Sequence, residues 1–280
     1  MKFIAILPPQ YDYLAATLVE GLQELGHQMI ASENTNYAQG FSRRQIQRHA
    51  QNADAILVFS NKRTKVDWVR WLEHEAMVFI DGSDTQRFMV PAGIRFRAIF
   101  KREYSRAWLN TLEEPVYPLP FAIEKRYVPQ SFLSEKDIDA SFIANLDTNL
   151  IRYSIYYRMV ALRQRAQYQI ELGGTGERAY TLRGRHKGQP QATPKYFHLL
   201  DRSRVAVSAA GVGYDCGRYW EILARGSALL TQALDIVIPN PLIHGEHCIE
   251  FKSLAEFDER LEWCLDQPHL VQEIAQRGHA

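Results

Sequence analysis

Three short stretches at the start of the chain constrain everything after them. "KFIAIL" (2–7) is a continuous apolar run of strand length, the pattern of a strand buried on both faces. "YLAATLVEGLQELGH" (13–27) has the spacing of an amphipathic helix and closes at Gly26. "QMIAS" (28–32) returns as a second strand. Strand, helix and strand in about 30 residues make a βαβ unit, which demands a parallel sheet covered by helices.

The alternation continues. Residues 42–52 read as helix, "DAILVFS" (54–60) as strand, 64–75 as helix and "AMVFIDG" (76–82) as strand. "RAIFKRE" (97–103) is another strand, followed by a short helix and "PVYPLPF" (115–121). The segment "PLPFAIEKRYVPQSF" (118–132) carries three prolines and little periodicity, as a crossing between domains would. A second alternating set follows: "DASFIAN" (139–145), a long basic helix over 149–166, "YQIELGG" (168–174), a helix over 193–202 and "RVAVSAA" (204–210). A helix over about 216–225, a strand at 227–231 and short strands at "DIVIP" (235–239) and "CIEF" (248–251) come next. Residues 253–278 read as one helix broken at Pro268 and then another. The expected class is α/β. An amino-terminal Rossmann-like domain spans 1–121, a second spans 122–266, and a terminal helix over 267–280 is expected to pack back on the first. In open sheets of this kind ligands sit outside the carboxyl ends of the strands, and a cleft between two domains is a common site.

Composition removes several classes of function. Basic and acidic residues number 33 and 32 among 280, so the whole-chain field attracts neither nucleic acid nor an anionic membrane. An anion must be held locally. The three cysteines, Cys216, Cys248 and Cys264, are an odd count without metal spacing, which suits a reducing compartment. The opening apolar run is shorter than the roughly 7–15 residues of a secretory core. No run approaches the roughly 18 residues of a membrane span. The expectation is a cytoplasmic protein with no transmembrane segment.

"GVGYDCGRYWEILARGSALLTQ" (211–232) carries the chemistry. A turn of small residues, with Gly211 and Gly213 free to take positive φ, leads from a strand into a helix. Asp215 is placed to cap that helix, whose free N–H groups and positive end suit a phosphate. Arg218 falls in the first turn, where a cation is disfavoured unless an anion is near. Arg218, Glu221 and Arg225 share one face. A surface ion pair and a ligand site both fit this pattern, since a lone G-x-G is weak.

From "GYDCGRYWEILARGSALLTQ" to "HGEHCIEFKSLAEFDERLEWCLDQPHLVQEIAQRG", the chain resembles the carboxyl-terminal domain of GT-B-fold glycosyltransferases, in their CgeB-like, spore-maturation branch of the retaining group. Arg218, Glu221, Ala224 and Gly226, then Phe251, Glu256, Ile274, Ala275 and Gly278, stand in the order of that pattern. "VYPLPFAIEKRYVP", "SFIANLDTNLIRYSIYYRMVAL", "FIDGSDT" and "FKREY" resemble its other segments. The resemblance implies two Rossmann-like domains facing a cleft. It also implies a metal-independent, retaining transfer of a sugar from a nucleotide-diphosphate donor to an unidentified acceptor, with no cofactor. Glu221 matches the residue that binds the donor ribose, and a carboxylate can accept from two vicinal hydroxyls. Gly211, Gly213, Tyr214, Asp215 and Arg218 face the diphosphate or sugar. Arg183, Arg185 and Lys187 in "LRGRHKG" and Arg152 in the long helix are candidates to neutralise the leaving group; solvated surface charge is the alternative for each. Many retaining members carry a Glu eight positions before the ribose Glu. Here that position is Gly213, with Asp215 as a possible replacement.

An inverting reaction would need a base near the acceptor hydroxyl. Asp84 and Asp12 follow strands and are the catalytic candidates, with caps and turns as their alternative roles. Asp81, Lys101 and Arg102, also at strand ends, are candidates for the acceptor or phosphate side. His244 and His247 in "IHGEHC" lie in a loop marked by Pro239 and Pro241, and no metal site is expected. A catalytically degenerate nucleotide-sugar or protein-binding module and a nucleotide-sugar epimerase are the other readings. Nucleic-acid binding is disfavoured by the neutral charge.

Overall fold

The computed structural model describes residues 1–8, 11–32, 40–60, 69–109, 115–133, 135–165, 167–173 and 194–280. These form two compact units, residues 1–124 with 235–239, and residues 125–234 with 240–280.

The first unit holds a six-stranded parallel sheet: β1 (Lys2–Ile6), β2 (Gln28–Ala31), β3 (Ala55–Ser60), β4 (Met77–Asp81), β5 (Ala98–Lys101) and β6 (Val116–Pro118), in the order β2-β1-β3-β4-β5-β6. Helices α1 (Tyr13–Glu24) and α2 (Arg43–Ala50) join its first strands. The reason for a parallel sheet is visible in β3, whose six residues AILVFS are all buried. Apolar side chains from alternate positions fill two layers, one with Ile4, Ile6, Ile56 and Phe79, the other with Ala5, Leu14, Leu57 and Phe59.

The second unit repeats the plan with β7 (Ile138–Ile143), β8 (Ile170–Gly173), β9 (Ser203–Ser208), β10 (Ala228–Gln232) and β11 (Ile249–Phe251), all parallel, in the order β11-β10-β9-β7-β8. Its helices are α3 (Leu150–Arg163), α4 (Pro194–Arg202), α5 (Gly217–Ala224), α6 (Leu254–Asp266) and α7 (Pro268–His279). In both sheets the second strand flanks the first and the third lies on its other side. The chain therefore changes direction between β1 and β3, and again between β7 and β9. Such switch points open a crevice at the carboxyl ends of the strands.

Several elements depart from the sequence expectations. Residues 235–239 form no strand. They return to the first unit, where Ile236 bridges to Ser105 and Val237 N donates to Tyr104 O at 2.8 Å. The division into units falls after Glu124, three residues beyond the expected boundary. The helix after Pro268 buries Val271, Ile274 and Ala275 in the core of the second unit. Of the expected helix over 64–75, residues 64–68 lie outside the described residues, and 69–75 form turns and no α-helix. Among the described residues, no helix is long and apolar enough to cross a membrane.

Two helical glycines give opposite expectations. A Cβ at Gly278 of α7 would fall 2.2 Å from His247 O and 3.0 Å from Leu223 Cδ2, whereas one at Gly21 of α1 meets nothing within 4 Å. In urea unfolding followed by circular dichroism, Gly278→Ala is expected to cost about 1–3 kcal/mol by overpacking. Gly21→Ala is expected to stabilise by about 0.5–1 kcal/mol through helix propensity.

Candidate functional site

At the β7/β9 switch point two arginines cross. Arg152, in the first turn of α3, reaches over to the end of β9. Its Nε donates to Ala210 O at 2.9 Å and Nη2 to Ala209 O at 2.9 Å. Nη1 donates to Asn145 O at 3.0 Å and to Thr148 Oγ1 at 2.8 Å, and Nη2 also meets Cys216 Sγ at 3.5 Å. The guanidinium is thus spent on carbonyls, a hydroxyl and a thiol, and it holds the turn after β9 in place. Gly211 is required here by close approach, because a Cβ would fall 2.8 Å from Arg152 Nη2. Asn149 adds a second tie, Nδ2 donating to Gly211 O at 3.0 Å while Oδ1 accepts from Ile151 N to cap α3.

Arg218, in the first turn of α5, makes the opposite crossing. Its Nε donates to Ile143 O at the end of β7, at 2.6 Å. The residue is only 7% exposed, and its Nη1 is buried with no hydrogen-bond partner among the described residues. No carboxylate among the described residues pairs with it. A buried cation with an orphaned N–H carries a desolvation penalty that a bound anion would offset. The free N–H groups of α5 start at the same place.

One turn further along α5, Glu221 Oε2 accepts from the buried Tyr196 hydroxyl at 2.7 Å, which fixes the carboxylate relative to α4. Arg225, expected on the same face, instead ends α5: it pairs with Asp201 and donates to Tyr127 O at 2.8 Å.

The turn itself differs from expectation in two ways. Gly211 and Gly213 are not among the positive-φ glycines; Gly211 N closes the turn on Gly213 O at 2.9 Å. Asp215 is not the helix cap. Cys216 holds that position without a side-chain bond, and the buried Asp215 accepts from Trp220 Nε1 at 2.9 Å. Tyr214 is half-buried beside it. Arg183, Arg185 and Lys187 lie outside the described residues.

The acidic and basic candidates of the first unit have other work. Asp12 caps α1, its Oδ1 accepting from Ala15 N at 2.9 Å. Asp81 and Lys101 are wholly enclosed and pair with each other at 3.2 Å. Asp81 also accepts from Ser83 N, Ser83 Oγ and Met89 N, and Lys101 donates to Ser83 Oγ at 2.8 Å. Burial pulls the Lys101 pKa down and the Asp81 carboxylate opposes that pull. Arg102, also buried, pairs with Asp84 and Glu103, donates to Gly82 O and lies 4.4 Å over the Phe121 ring. Neither Asp81, Lys101 nor Arg102 presents a charge to solvent; of this group Asp84 is the member with exposed surface, at 32%.

His244 and His247 accept from Glu250 N and Ile243 N and so brace their own loop. No metal-binding group of three His, Cys, Asp or Glu side chains occurs among the described residues. Burial pushes the Cys248 and Cys264 thiols up to about 12, which makes them inert packing residues.

Residues 158–280 match the family model described as glycosyl transferase-like. No curated protein sequence is significantly similar to the chain. Among solved structures, the DNA-modifying enzyme β-glucosyltransferase, determined in the presence and absence of uridine diphosphoglucose, aligns at a TM-score of 0.57. Identity is 13%, over 100% of this chain and 93% of that one. A putative UDP-N-acetylglucosamine 2-epimerase from Listeria monocytogenes aligns at 0.58 with 10% identity, over 100% and 91%. TarM aligns at 0.54 with 10% identity over 80% of this chain, which spans 50% of TarM's own length.

The two arginines predict unequal effects on the unliganded protein. Arg152→Met strands several buried carbonyls and is expected to lower stability by about 3 kcal/mol. Arg218→Met strands one carbonyl, that of Ile143, but removes a buried charge with no carboxylate partner among the described residues, and is expected to cost clearly less than Arg152→Met, about 1 kcal/mol or below; paired urea melts read both. The two Rossmann-like units have the fold shared by GT-B glycosyltransferases, and residues 158–280 are similar to the glycosyl transferase-like family.

Proposed function

We propose that the protein transfers a sugar from a nucleotide-diphosphate donor to an acceptor hydroxyl, without metal and with retention, as in the CgeB-like branch it resembles. The observation that carries this reading is Arg218: a buried guanidinium with an orphaned Nη1, placed at a switch point beside a helix start. A diphosphate supplies the missing acceptor and the missing negative charge together. Glu221, held by Tyr196 one turn away, then takes the ribose hydroxyls. In the reaction the bond between the anomeric carbon and the diphosphate oxygen breaks, and a bond to the acceptor oxygen forms. The acceptor proton passes to the departing diphosphate. Arg218 and the α5 N–H groups stabilise the charge that develops on that leaving group.

Arg152 contributes by positioning, since its donors hold the turn that receives the donor. Arg183, Arg185 and Lys187 remain candidates for a second phosphate contact, and Asp84 for the acceptor hydroxyl. The fold alone does not separate transfer from epimerisation, because the Listeria epimerase aligns as well as the β-glucosyltransferase. The glycosyl transferase-like family match supports transfer.

Calorimetry and thermal shift with UDP, GDP, ADP, CMP and dTDP, without metal, test the site. One diphosphate is expected to bind selectively and, at about 100 times its dissociation constant, to stabilise the protein by about 2.7 kcal/mol. Glu221→Ala is expected to lose that binding, and no binding to any of them by folded protein contradicts the reading. Tyr196→Phe removes this one bond to the Glu221 carboxylate. It is expected to narrow the preference for the ribonucleotide over its 2′-deoxy form about tenfold, with an unchanged unfolding curve. An unchanged preference would leave Tyr196 a packing residue only.

A further inference from the structure

At the opposite end of the second sheet lies a groove of about 490 Å³. Lys136, Arg204 and Gly226, at or just before the starts of β7, β9 and β10, line one side. Val271 and Ala275 of α7 line the other. Phe132 and Leu133 stand at its mouth, 46% and 48% exposed. The groove is built rather than incidental. Gly226 has φ +66°, and a Cβ there would fall 2.8 Å from the Phe132 ring. Phe132 in turn packs edge-on against His279, with ring centroids 4.4 Å apart, and His279 Nδ1 donates to Leu223 O at 3.0 Å.

The charge of the lining is one-sided. Lys136, Arg204, His269 and His279 contribute basic groups, and among the described residues no carboxylate lines the groove. Arg204 is already paired with Asp139. Lys136 is the less compensated cation: its Nζ donates to Asp201 O at 2.7 Å and Ser227 Oγ at 3.4 Å, while the Asp201 carboxylate is engaged by Arg225. Burial pulls the Lys136 pKa down to about 8, with Asp201 opposing and Arg225 adding to the pull. An ammonium held at such a cost gains from an anion. Phe132, Leu133, Pro268, Val271 and Ala275 give the lining an apolar side, which suits a hydrocarbon body, and one ammonium matches the single charge of a monoanion.

We propose that this groove binds a small amphiphilic carboxylate, with Lys136 taking the carboxylate and Phe132, Leu133 and Pro268 holding the apolar body. A concave site that joins apolar lining to a few convergent polar groups is the usual form of a small-molecule pocket. This site is independent of the donor reading.

Ligand-observed NMR on the full chain with octanoate, octanol and acetate tests it, with no nucleotide present. Octanoate is expected to bind at least tenfold more tightly than octanol, and acetate not measurably. Lys136→Met is expected to weaken octanoate tenfold or more. Gln272→Trp, at an exposed lining position, is expected to block it without altering the unfolding curve. Equal binding of octanol and octanoate, indifference to both variants, or no binding overturns the proposal. So does a concentration-dependent dimer abolished by Gln272→Trp, which would make a second copy the occupant.

Discussion

The crossing of Arg152 and Arg218 at the β7/β9 switch point organises the second unit. In a parallel sheet the carbonyls at the carboxyl ends of strands point out of the sheet and need donors. Arg152 supplies them from α3 to the chain after β9, and Arg218 supplies one from α5 to the end of β7. Each helix is thereby pinned to the strand it does not follow, and the crevice between the strands keeps a defined shape. The difference lies in what remains. The guanidinium of Arg152 is spent on protein acceptors, while that of Arg218 keeps an N–H and a charge without partners among the described residues. Such a group is a cost to the unliganded fold, and it is the observation on which the proposed donor site rests.

The same end of the first unit is built differently. Asp81, Lys101, Arg102 and Glu103 form a closed network under the loop after β4, with internal partners for the groups of Asp81 and Lys101. Breaking a buried pair of this kind strands a charge, so the network stiffens the strand ends rather than offering them to a substrate. What it presents outward is the edge of Asp84, oriented by Arg102. The two units thus share a strand order but divide the electrostatic work: one is internally neutralised, and the other keeps a cation in reserve.

Much of this was legible from the residues. Continuous apolar runs and period-3.6 patterns placed the strands and most helices to within a few residues, because burial on two faces of a sheet leaves unmistakable runs such as "AILVFS" and "ALLTQ". Arg218 stood out because a cation in a first helical turn is against the local preference. What was not legible depended on contacts between distant residues. Nothing in the local sequence shows that Asp215 accepts from Trp220 instead of capping α5, or that Arg152 holds carbonyls 57 and 58 positions away. The "DIVIP" segment has a strand's composition, yet it bonds back to Tyr104 and Ser105 in the first unit. Asp81 and Lys101 looked like a ligand edge because each ends a strand; their registered pairing on β4 and β5 turns them towards each other.

The central claim is that the Arg218 site acts on a nucleotide-diphosphate sugar. The most direct measurement is 31P NMR of the protein with a mixture of UDP-, GDP-, ADP- and dTDP-sugars, followed over hours without added acceptor or metal. The account predicts that the diphosphate signals of one donor give way slowly to those of its nucleoside diphosphate, and that Arg218→Met, still folded, leaves them unchanged. Donor signals that persist for every sugar nucleotide in the presence of folded wild-type protein, or that decay equally with Arg218→Met, would contradict it.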